Sequence, residues 1–311
     1  MVNVAIAGGT GALGRAIVEA FQDSPHKIFV LSRKAEFKPV GNAIVVQVDY
    51  NNVESMCDAL EEHSIHTVIS ALSLNDASDC TSQLNLIRAA DAAESTKRFV
   101  TSDFAISQLD RNWLHLPVIK NRVDSVELLR TTTSLEWTRF TIGTFMDYFG
   151  GPHIKTYLPP NSWPIDMVNA AAALPGDGEA QMTFTYSFDV AQFVVKSLDL
   201  PRWDEEMRIV GDTVKLNDFL KMAEEARDKK FDVKYDDMEK LQRGEVTELP
   251  GMESLYIYFP KSELQETMSA FGQWTVKGFM ALDREGALND KFPEVKTLKI
   301  REMLDQCWKG K

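Results

Sequence analysis

The amino-acid sequence predicts an α/β fold, built as a doubly wound parallel sheet with a second, smaller and mostly helical lobe. Three observations support this prediction. A short apolar run at the amino terminus leads into a loop with four glycines, "GGTGALG". Strand-like and helix-like segments then alternate over about the first 150 residues, as in a parallel sheet with helices on both faces. After Gly150 the composition shifts to Pro, Gly, Asn and Trp, which marks a lobe boundary.

The alternating segments can be assigned in order along the chain. Apolar and β-branched runs predict five strands, at 1–7, 27–32, 43–50, 66–72 and 98–104. Apolar residues at helical spacing predict the intervening helices, at 12–21, 53–63 and 80–94. A helix from about Val118 to Thr131 and a strand at 135–143 extend the pattern. Residues 1–150 are therefore expected to form one domain.

The remaining residues, 151–311, are expected to form the smaller lobe. "PGDG" at 175–178 predicts a tight turn between two extended segments. "MTFTYS" predicts a strand, the next residues a helix and "MRIVGD" another strand, so that about 182–213 rejoin the main sheet. Amphipathic stretches at 216–227 and 299–308 predict helices of the smaller lobe.

Composition excludes several classes of protein. The 311 residues carry a net charge of −12, which argues against nucleic acid or an anionic membrane as partner. No apolar run approaches membrane-spanning length, and the start of the chain does not have the form of a secretory signal. The three cysteines are far apart, so we expect no disulfide framework and a cytoplasmic protein. The sequence makes no prediction of oligomeric state.

The glycine loop is the main candidate for a binding site. It fits both G-x-G-x-x-G and G-x-x-G-x-x-G, and it lies between a predicted strand and a predicted helix. In that context, typical of a Rossmann fold, glycines allow close backbone approach to a pyrophosphate, which the helix N-terminus attracts. The residues expected to bind the cofactor are Gly8, Gly9, Thr10, Gly11, Ala12, Leu13 and Gly14.

The end of the second predicted strand indicates which dinucleotide binds. An acid about twenty residues after the glycines usually holds a free ribose 2′-hydroxyl, but here the chain has Ser32, Arg33 and Lys34. Two cations and a hydroxyl suit a 2′-phosphate, so we expect NADPH as the cofactor. The alternative is that Arg33 and Lys34 are ordinary solvated loop cations.

With these residues in view, the chain resembles the NmrA-like branch of the atypical short-chain dehydrogenases. Within that branch it is similar to isoflavone reductases, phenylcoumaran benzylic ether reductases and fungal NmrA-like proteins. Besides the glycine loop, the resemblance rests on "VISALS", "QLNLIRAADAAESTKRFVTSDF" and "LEWTRFTIGTFMDYF". It covers about the first 150 residues well and continues more thinly to the tail.

The resemblance implies roles for individual residues. The loop from Gly8 to Gly14 and Arg33 would carry the NADPH phosphates, and Lys34 or Lys38 would be a further phosphate contact. Ala71 would lie by the cofactor and Phe145 near the nicotinamide. Residues 1–150 would then be the NADP-binding domain, and 151–311 the substrate-binding lobe for a small molecule.

The resemblance also implies that Lys120 is the catalytic residue. No tyrosine has a lysine four residues later, so the usual Tyr–Lys proton donor pair is missing. The related reductases use a lysine at the start of the helix after the fifth strand, and Lys120 is the nearest match. A nearby helix N-terminus and a cationic nicotinamide would lower the pKa of Lys120. The alternative is a solvated helix face, on which Lys120 pairs with Asp124.

Other residues have weaker claims to a role in a site. Ser102 and Asp103 end the fifth strand, where sites of parallel sheets gather, but they could equally cap a loop. His63 and His66 lack a third ligand, so we read them as structural and expect no metal. Four residues, Phe145, Met146, Tyr148 and Phe149, could line a pocket or belong to the core, and Trp113 and His115 could lie at a pocket rim.

Three functions remain open from the sequence. The first is an NADPH-dependent oxidoreductase that reduces a small, aromatic or heterocyclic secondary metabolite, with Lys120 as the acid–base group. The second is an NADP-binding redox sensor without catalysis, as some NmrA-like proteins are. The third is an NADPH-bound enzyme that cyclises or rearranges a natural product.

Overall fold

The computed structural model describes residues 1–34, 41–74, 77–107, 111–257 and 259–311, without the side chains of Ala77 and Asp79. Its strands are β1 (Asn3–Ala7), β2 (Lys27–Ser32), β3 (Ile44–Gln47), β4 (Thr67–Ser70), β5 (Arg98–Ala105), β6 (Glu136–Thr141), β7 (Thr144–Phe145), β8 (Ile165–Asp166), β9 (Ala171–Pro175), β10 (Gln181–Thr185), β11 (Glu206–Arg208), β12 (Asp212–Lys215) and β13 (Asp232–Asp236).

The helices are α1 (Ala12–Ala20), α2 (Val53–Glu62), α3 (Ala77–Ala92), α4 (Pro117–Leu129), α5 (Ser187–Ser197), α6 (Leu216–Arg227), α7 (Met238–Gln242), α8 (Lys261–Val276), α9 (Leu288–Lys291) and α10 (Ile300–Trp308). Within the described ranges, no helix has the length and apolar character needed to cross a membrane.

The central sheet has seven strands in the order β3-β2-β1-β4-β5-β6-β11. The ladders of β1 with β2, β1 with β4, β2 with β3 and β4 with β5 are all parallel. Because β1 has β2 on one side and β4 on the other, the strand order reverses beside β1. That reversal is the topological switch point of a doubly wound sheet, so the predicted fold class is confirmed.

Within the first 150 residues, the predicted elements agree closely with the structure. β2 has the predicted bounds, and β5 and α4 differ from prediction by at most two residues at an end. A shared core explains the regularity. It consists of buried apolar side chains from β1 to β5, α2, α3 and α4, among them Phe29, Met56, Leu86 and Phe99.

The chain divides into two compact units. The first unit contains residues 1–104, 109–141 and 190–207, and the second contains 105–108, 142–189 and 208–311. The units therefore change over between Thr141 and Ile142, before the predicted boundary at 150, and they are of nearly equal size. The second unit also contains two three-stranded sheets, β12-β10-β7 and β13-β9-β8, besides α6 to α10. Of these strands, β7 and β8 have two residues each and are too short to give a periodic signal in the sequence.

The prediction that about 182–213 rejoin the main sheet was wrong in its detail. β10, from the "MTFTYS" segment, pairs with β12 in antiparallel and with β7 in parallel, in a sheet of the second unit. Only the short β11 joins the central sheet, at the edge next to β6. The segment "MRIVGD" is divided between the end of β11 and the start of β12. A strand pattern does not by itself identify the neighbouring strand.

Candidate functional site

The glycine loop joins the carboxyl end of β1 to α1, and two of its glycines are required by the fold. Gly8 has a φ of +76°, and a Cβ there would lie 2.5 Å from the carbonyl oxygen of Ala71. A Cβ at Gly14 would lie 2.1 Å from the carbonyl oxygen of Gly8. Both glycines therefore allow the tight packing of the loop against its neighbours.

Gly11 differs from these two, because the protein itself leaves room for a side chain there. A Cβ at Gly11 would come no closer than 3.4 Å to the nearest atom, an ordinary contact. Its backbone is extended, with φ −93° and ψ −171°, and it is the N-cap of α1 without any side-chain cap. The helix N-terminus is therefore open to an anion, and its N–H groups and positive partial charge fit a pyrophosphate.

The loop lies at the switch point of the sheet, where α/β proteins bind ligands. Ala71 follows β4, and its N–H donates to the carbonyl of Ala7 at the end of β1, at 2.9 Å. This contact brings Ala71 beside the glycine loop, and its position by the cofactor stays a prediction. Ala12 and Leu13 open α1, with Leu13 buried.

A cavity of about 420 Å³ extends from this loop to the end of β2. Arg33 and Lys34 line this cavity, and neither forms an ion pair with another residue in the described ranges. Their backbone is held in place, since the Lys34 N–H donates to Ser32 Oγ at 3.1 Å and Gln47 Nε2 donates to the Arg33 carbonyl at 3.4 Å. Lys38 lies outside the described residues. The cavity is lined by Gly8, Thr10, Leu31, Ser32, Arg33, Lys34, Tyr50 and Leu72.

Tyr50 is a cavity residue that the sequence reasoning missed. Its hydroxyl donates to the carbonyl of Leu31 at 3.2 Å, and burial raises the pKa of the phenol. The ring is therefore a neutral, fixed wall of the cavity. Its place at the carboxyl end of the predicted third strand, 43–50, was a signal available in the sequence.

Lys120 lies in the first turn of α4, and its ammonium pairs with the Asp124 carboxylate four residues later. Its side chain is 54% exposed. The hydrogen bond to Asp124 raises the pKa of Lys120, which is opposite to the lowering expected from the sequence. The arrangement keeps the group protonated near neutral pH.

Asp103 is an ion-paired residue of the interior. It is 1% exposed, Arg122 Nε donates to its Oδ1 at 2.7 Å, and Arg139 Nη1 donates to its Oδ2 at 3.1 Å. Arg139 also pairs with Glu206 at 2.5 Å. The carboxylate oxygens are thus used in holding α4 and β6 to β5, which is a structural role.

The remaining aromatic and imidazole candidates make ordinary packing contacts. His63 stacks on Phe29 at 5.0 Å between ring centroids, and His66 Nδ1 lies 2.9 Å from Thr67 Oγ1. The rings of Trp113 and His115 lie 5.7 Å apart. In the part of the chain that the structure describes, no three metal-binding side chains cluster.

Phe145 and the aromatic residues after it belong to the second unit. The ring of Phe145 lies 6.0 Å from that of Tyr148, edge to face. Met146 and Phe149 are fully buried, and Phe149 packs edge to face against Phe184 at 5.4 Å, so these two residues belong to the core. The role of Phe145 beside a nicotinamide stays a prediction.

The fold and the glycine loop define this protein as a member of the Rossmann class of α/β proteins. The sequence model of the NmrA-like family matches residues 2–278, and the chain belongs to that family. It is 38% identical over 226 residues to "Oxidoreductase BOA1" of Botryotinia fuckeliana, covering 72% of this chain and 75% of the relative. It is 28% identical over 221 residues to an "Isoflavone reductase homolog" of Lupinus albus, covering 64% of this chain and 66% of that relative. The predicted family resemblance is confirmed.

Two solved structures share the fold over almost the whole chain. The complex of leucoanthocyanidin reductase with NADPH from Vitis vinifera has a TM-score of 0.74 at 18% identity, covering 98% of both chains. The structure of AtPrR2 with NADP⁺ and (+)pinoresinol has a TM-score of 0.74 at 21% identity, also covering 98% of both chains. These likenesses confirm the fold.

Proposed function

We propose that this protein is an NADPH-dependent reductase of a small, aromatic or heterocyclic metabolite. The observation that carries the proposal is the cavity of about 420 Å³ in which Arg33 and Lys34 lie near the glycine loop. A dinucleotide whose pyrophosphate lies over the N-terminus of α1 directs its adenosine ribose toward the end of β2. Two cations that form no ion pair with a described residue favour the 2′-phosphate of NADPH over the free hydroxyl of NADH.

The names of similar proteins support the proposed chemical class of substrate. An isoflavone reductase homolog and a fungal oxidoreductase are similar in sequence, and one structure of the same fold holds (+)pinoresinol with NADP⁺. Residues beyond 150 bind this substrate in our proposal, and Phe145 contacts the nicotinamide. NADPH, when bound, supplies a hydride to an electron-poor carbon of the substrate.

Lys120 supplies the proton that this reduction requires. Its side chain is an ammonium near neutral pH and so carries a proton. The hydrogen bond to Asp124 raises its pKa, so donation to a substrate requires that this bond be released. Its side chain is half exposed, so a ligand can reach the ammonium. Lys120 is therefore a proton donor in this proposal and not a general base.

The test is substrate-dependent oxidation of NADPH, followed by its absorbance, over a panel of phenolic and alkaloid-like compounds. We expect turnover with at least one compound, and we expect the double variant Arg33→Ala, Lys34→Ala to lose it at NADPH concentrations that saturate the unaltered protein. Full NADPH occupancy without turnover on any compound, together with a stable protein partner, would instead identify a redox sensor.

A further inference from the structure

The loop after β4 borders the cofactor cavity. We call residues Ala71–Leu74 the β4 loop. Its first residue is held to the end of β1 by the hydrogen bond from the Ala71 N–H to Ala7, and its carbonyl oxygen faces Gly8. Leu72 lines the cavity together with Gly8 and Thr10. The shape of the β4 loop therefore forms part of the cofactor site.

Two side chains from neighbouring elements fix this loop by its carbonyl groups. The Ser102 hydroxyl, on β5, donates to the carbonyl of Leu72 at 2.7 Å. The Asn121 amide, in the first turns of α4, donates to the carbonyl of Leu74 at 2.9 Å. The two bonds reach alternate residues of the loop, so they restrain both its position and its direction.

The burial of Asn121 requires a compensating contact. The residue is 4% exposed on a helix, and asparagine is a poor helix former whose amide costs free energy when buried without hydrogen bonds. The bond to Leu74 supplies part of that compensation. It also satisfies a carbonyl of an irregular loop that has no strand partner at this point.

The strand order indicates which part of NADPH the β4 loop meets. The cations that suit the 2′-phosphate follow β2, and the glycine loop that suits the pyrophosphate follows β1. The next strand in the sheet, on the other side of β1, is β4. A dinucleotide lying across the carboxyl ends of β2 and β1 therefore brings its nicotinamide half to the β4 loop.

We propose that Ser102 and Asn121 are positioning residues that hold the β4 loop in the shape that receives the nicotinamide half of NADPH. The proposal rests on the proposed function, since it takes NADPH as the ligand. It gives Ser102 a role through the loop and not in proton transfer.

The experiment compares two ligands that share the 2′-phosphate end. NADPH and adenosine 2′,5′-bisphosphate, which lacks the nicotinamide, are titrated into the full chain and into the variants Ser102→Ala and Asn121→Ala. Each variant should lower the affinity for NADPH about ten-fold, because binding must then order the β4 loop without one of the hydrogen bonds that hold it in the unaltered protein. The affinity for the bisphosphate should stay within about two-fold, because its 2′-phosphate is expected at Arg33 and Lys34 after β2 and its 5′-phosphate at the glycine loop after β1.

Two further variants keep the result unambiguous. Ser125→Ala removes a buried hydroxyl on the same helix that donates to the Asn121 carbonyl at 2.8 Å, and it should leave NADPH affinity unchanged. Ser102→Thr keeps the hydroxyl and should bind NADPH about as tightly as the unaltered protein does. An equal loss of affinity for both ligands, or unchanged NADPH affinity in Ser102→Ala and Asn121→Ala, overturns the positioning role. Failure of the unaltered protein to bind the bisphosphate would instead remove the proposed 2′-phosphate site, and this proposal with it.

Discussion

Gly11→Ala is expected to remove NADPH binding and to leave the fold intact. The new Cβ would meet nothing closer than 3.4 Å, and the extended backbone at this position is open to alanine. Loss of the glycine N-cap costs about 0.5–1 kcal/mol. The lower entropy of the unfolded chain offsets about 0.4–1 kcal/mol of that cost. The free energy of unfolding should therefore change by less than about 1 kcal/mol.

The loss of affinity follows from where the methyl group would lie. It occupies the open N-terminus of α1, where a pyrophosphate would receive backbone N–H groups. Losing two hydrogen bonds to a charged group costs roughly 3–6 kcal/mol, at about 1.5–3 kcal/mol each. At about 1.4 kcal/mol for each factor of ten, NADPH affinity should fall by roughly 10²–10⁴-fold.

Gly14→Ala is the matched control, because it should lower the free energy of unfolding, which Gly11→Ala should leave nearly unchanged. Its Cβ would lie 2.1 Å from the carbonyl oxygen of Gly8, a backbone atom that cannot rotate aside. Overpacking of this kind costs about 1–3 kcal/mol or more. Urea unfolding and NADPH titration of both variants separate the two effects. If Gly11→Ala bound NADPH as the unaltered protein does, the pyrophosphate would not lie at this helix end.

Changes at three residues test the roles assigned to Lys120 and Asp103 and the effect of burying the Asp189 carboxyl. Lys120→Ala should slow turnover about 10²–10⁴-fold with little change in NADPH affinity. Lys120→Arg should slow turnover nearly as much, because a guanidinium does not release its proton. An unchanged single-turnover rate in these variants would mean that Lys120 only forms the surface pair with Asp124. Asp103→Ala should lower the free energy of unfolding by about 3–5 kcal/mol, because it leaves Arg122 and Arg139 buried without their shared carboxylate; a loss of activity at full stability would contradict this structural role. Burial raises the pKa of Asp189 to about 6. Between about pH 4 and 6 the folded chain therefore binds more protons at this group than the unfolded chain does. The contribution of Asp189 to the free energy of unfolding falls as the pH rises through that range. Asp189→Asn should flatten that pH dependence and add up to about 3 kcal/mol at pH 7, measured by urea unfolding against pH; an unaltered pH profile would contradict the burial argument.

The first unit could be predicted from sequence because its signals are local. The run "KIFVLS" is continuous, apolar and β-branched, and the strand β2 has the same bounds. β10 could not be placed in the same way. Apolar Met182 and Phe184 alternate with Thr183 and Thr185, which predicts a strand, but all four residues are buried, so the pattern does not indicate which strands pair with it. Its pairing depends on residues distant in the chain.

The candidate site was predictable in part, for the same physical reason. The glycine loop and Arg33 lie close to the strands they follow, so spacing alone located them. For Lys120, the spacing to Asp124 and the family resemblance gave opposite expectations, and the structure brings the two side chains together. Asn121 gave no signal, because its partner at Leu74 lies 47 residues away in the chain.

The most direct test of the central claim is a calorimetric titration of the unaltered protein with NADPH and with NADH. Arg33 and Lys34 can each contribute about 1.5–3 kcal/mol toward a 2′-phosphate, less where solvent screens the contact. We therefore expect NADPH to bind about ten- to a thousand-fold more tightly than NADH, and we expect Arg33→Ala to narrow that ratio. Equal affinities for the two cofactors in the unaltered protein would contradict the assignment of this cavity to the 2′-phosphate.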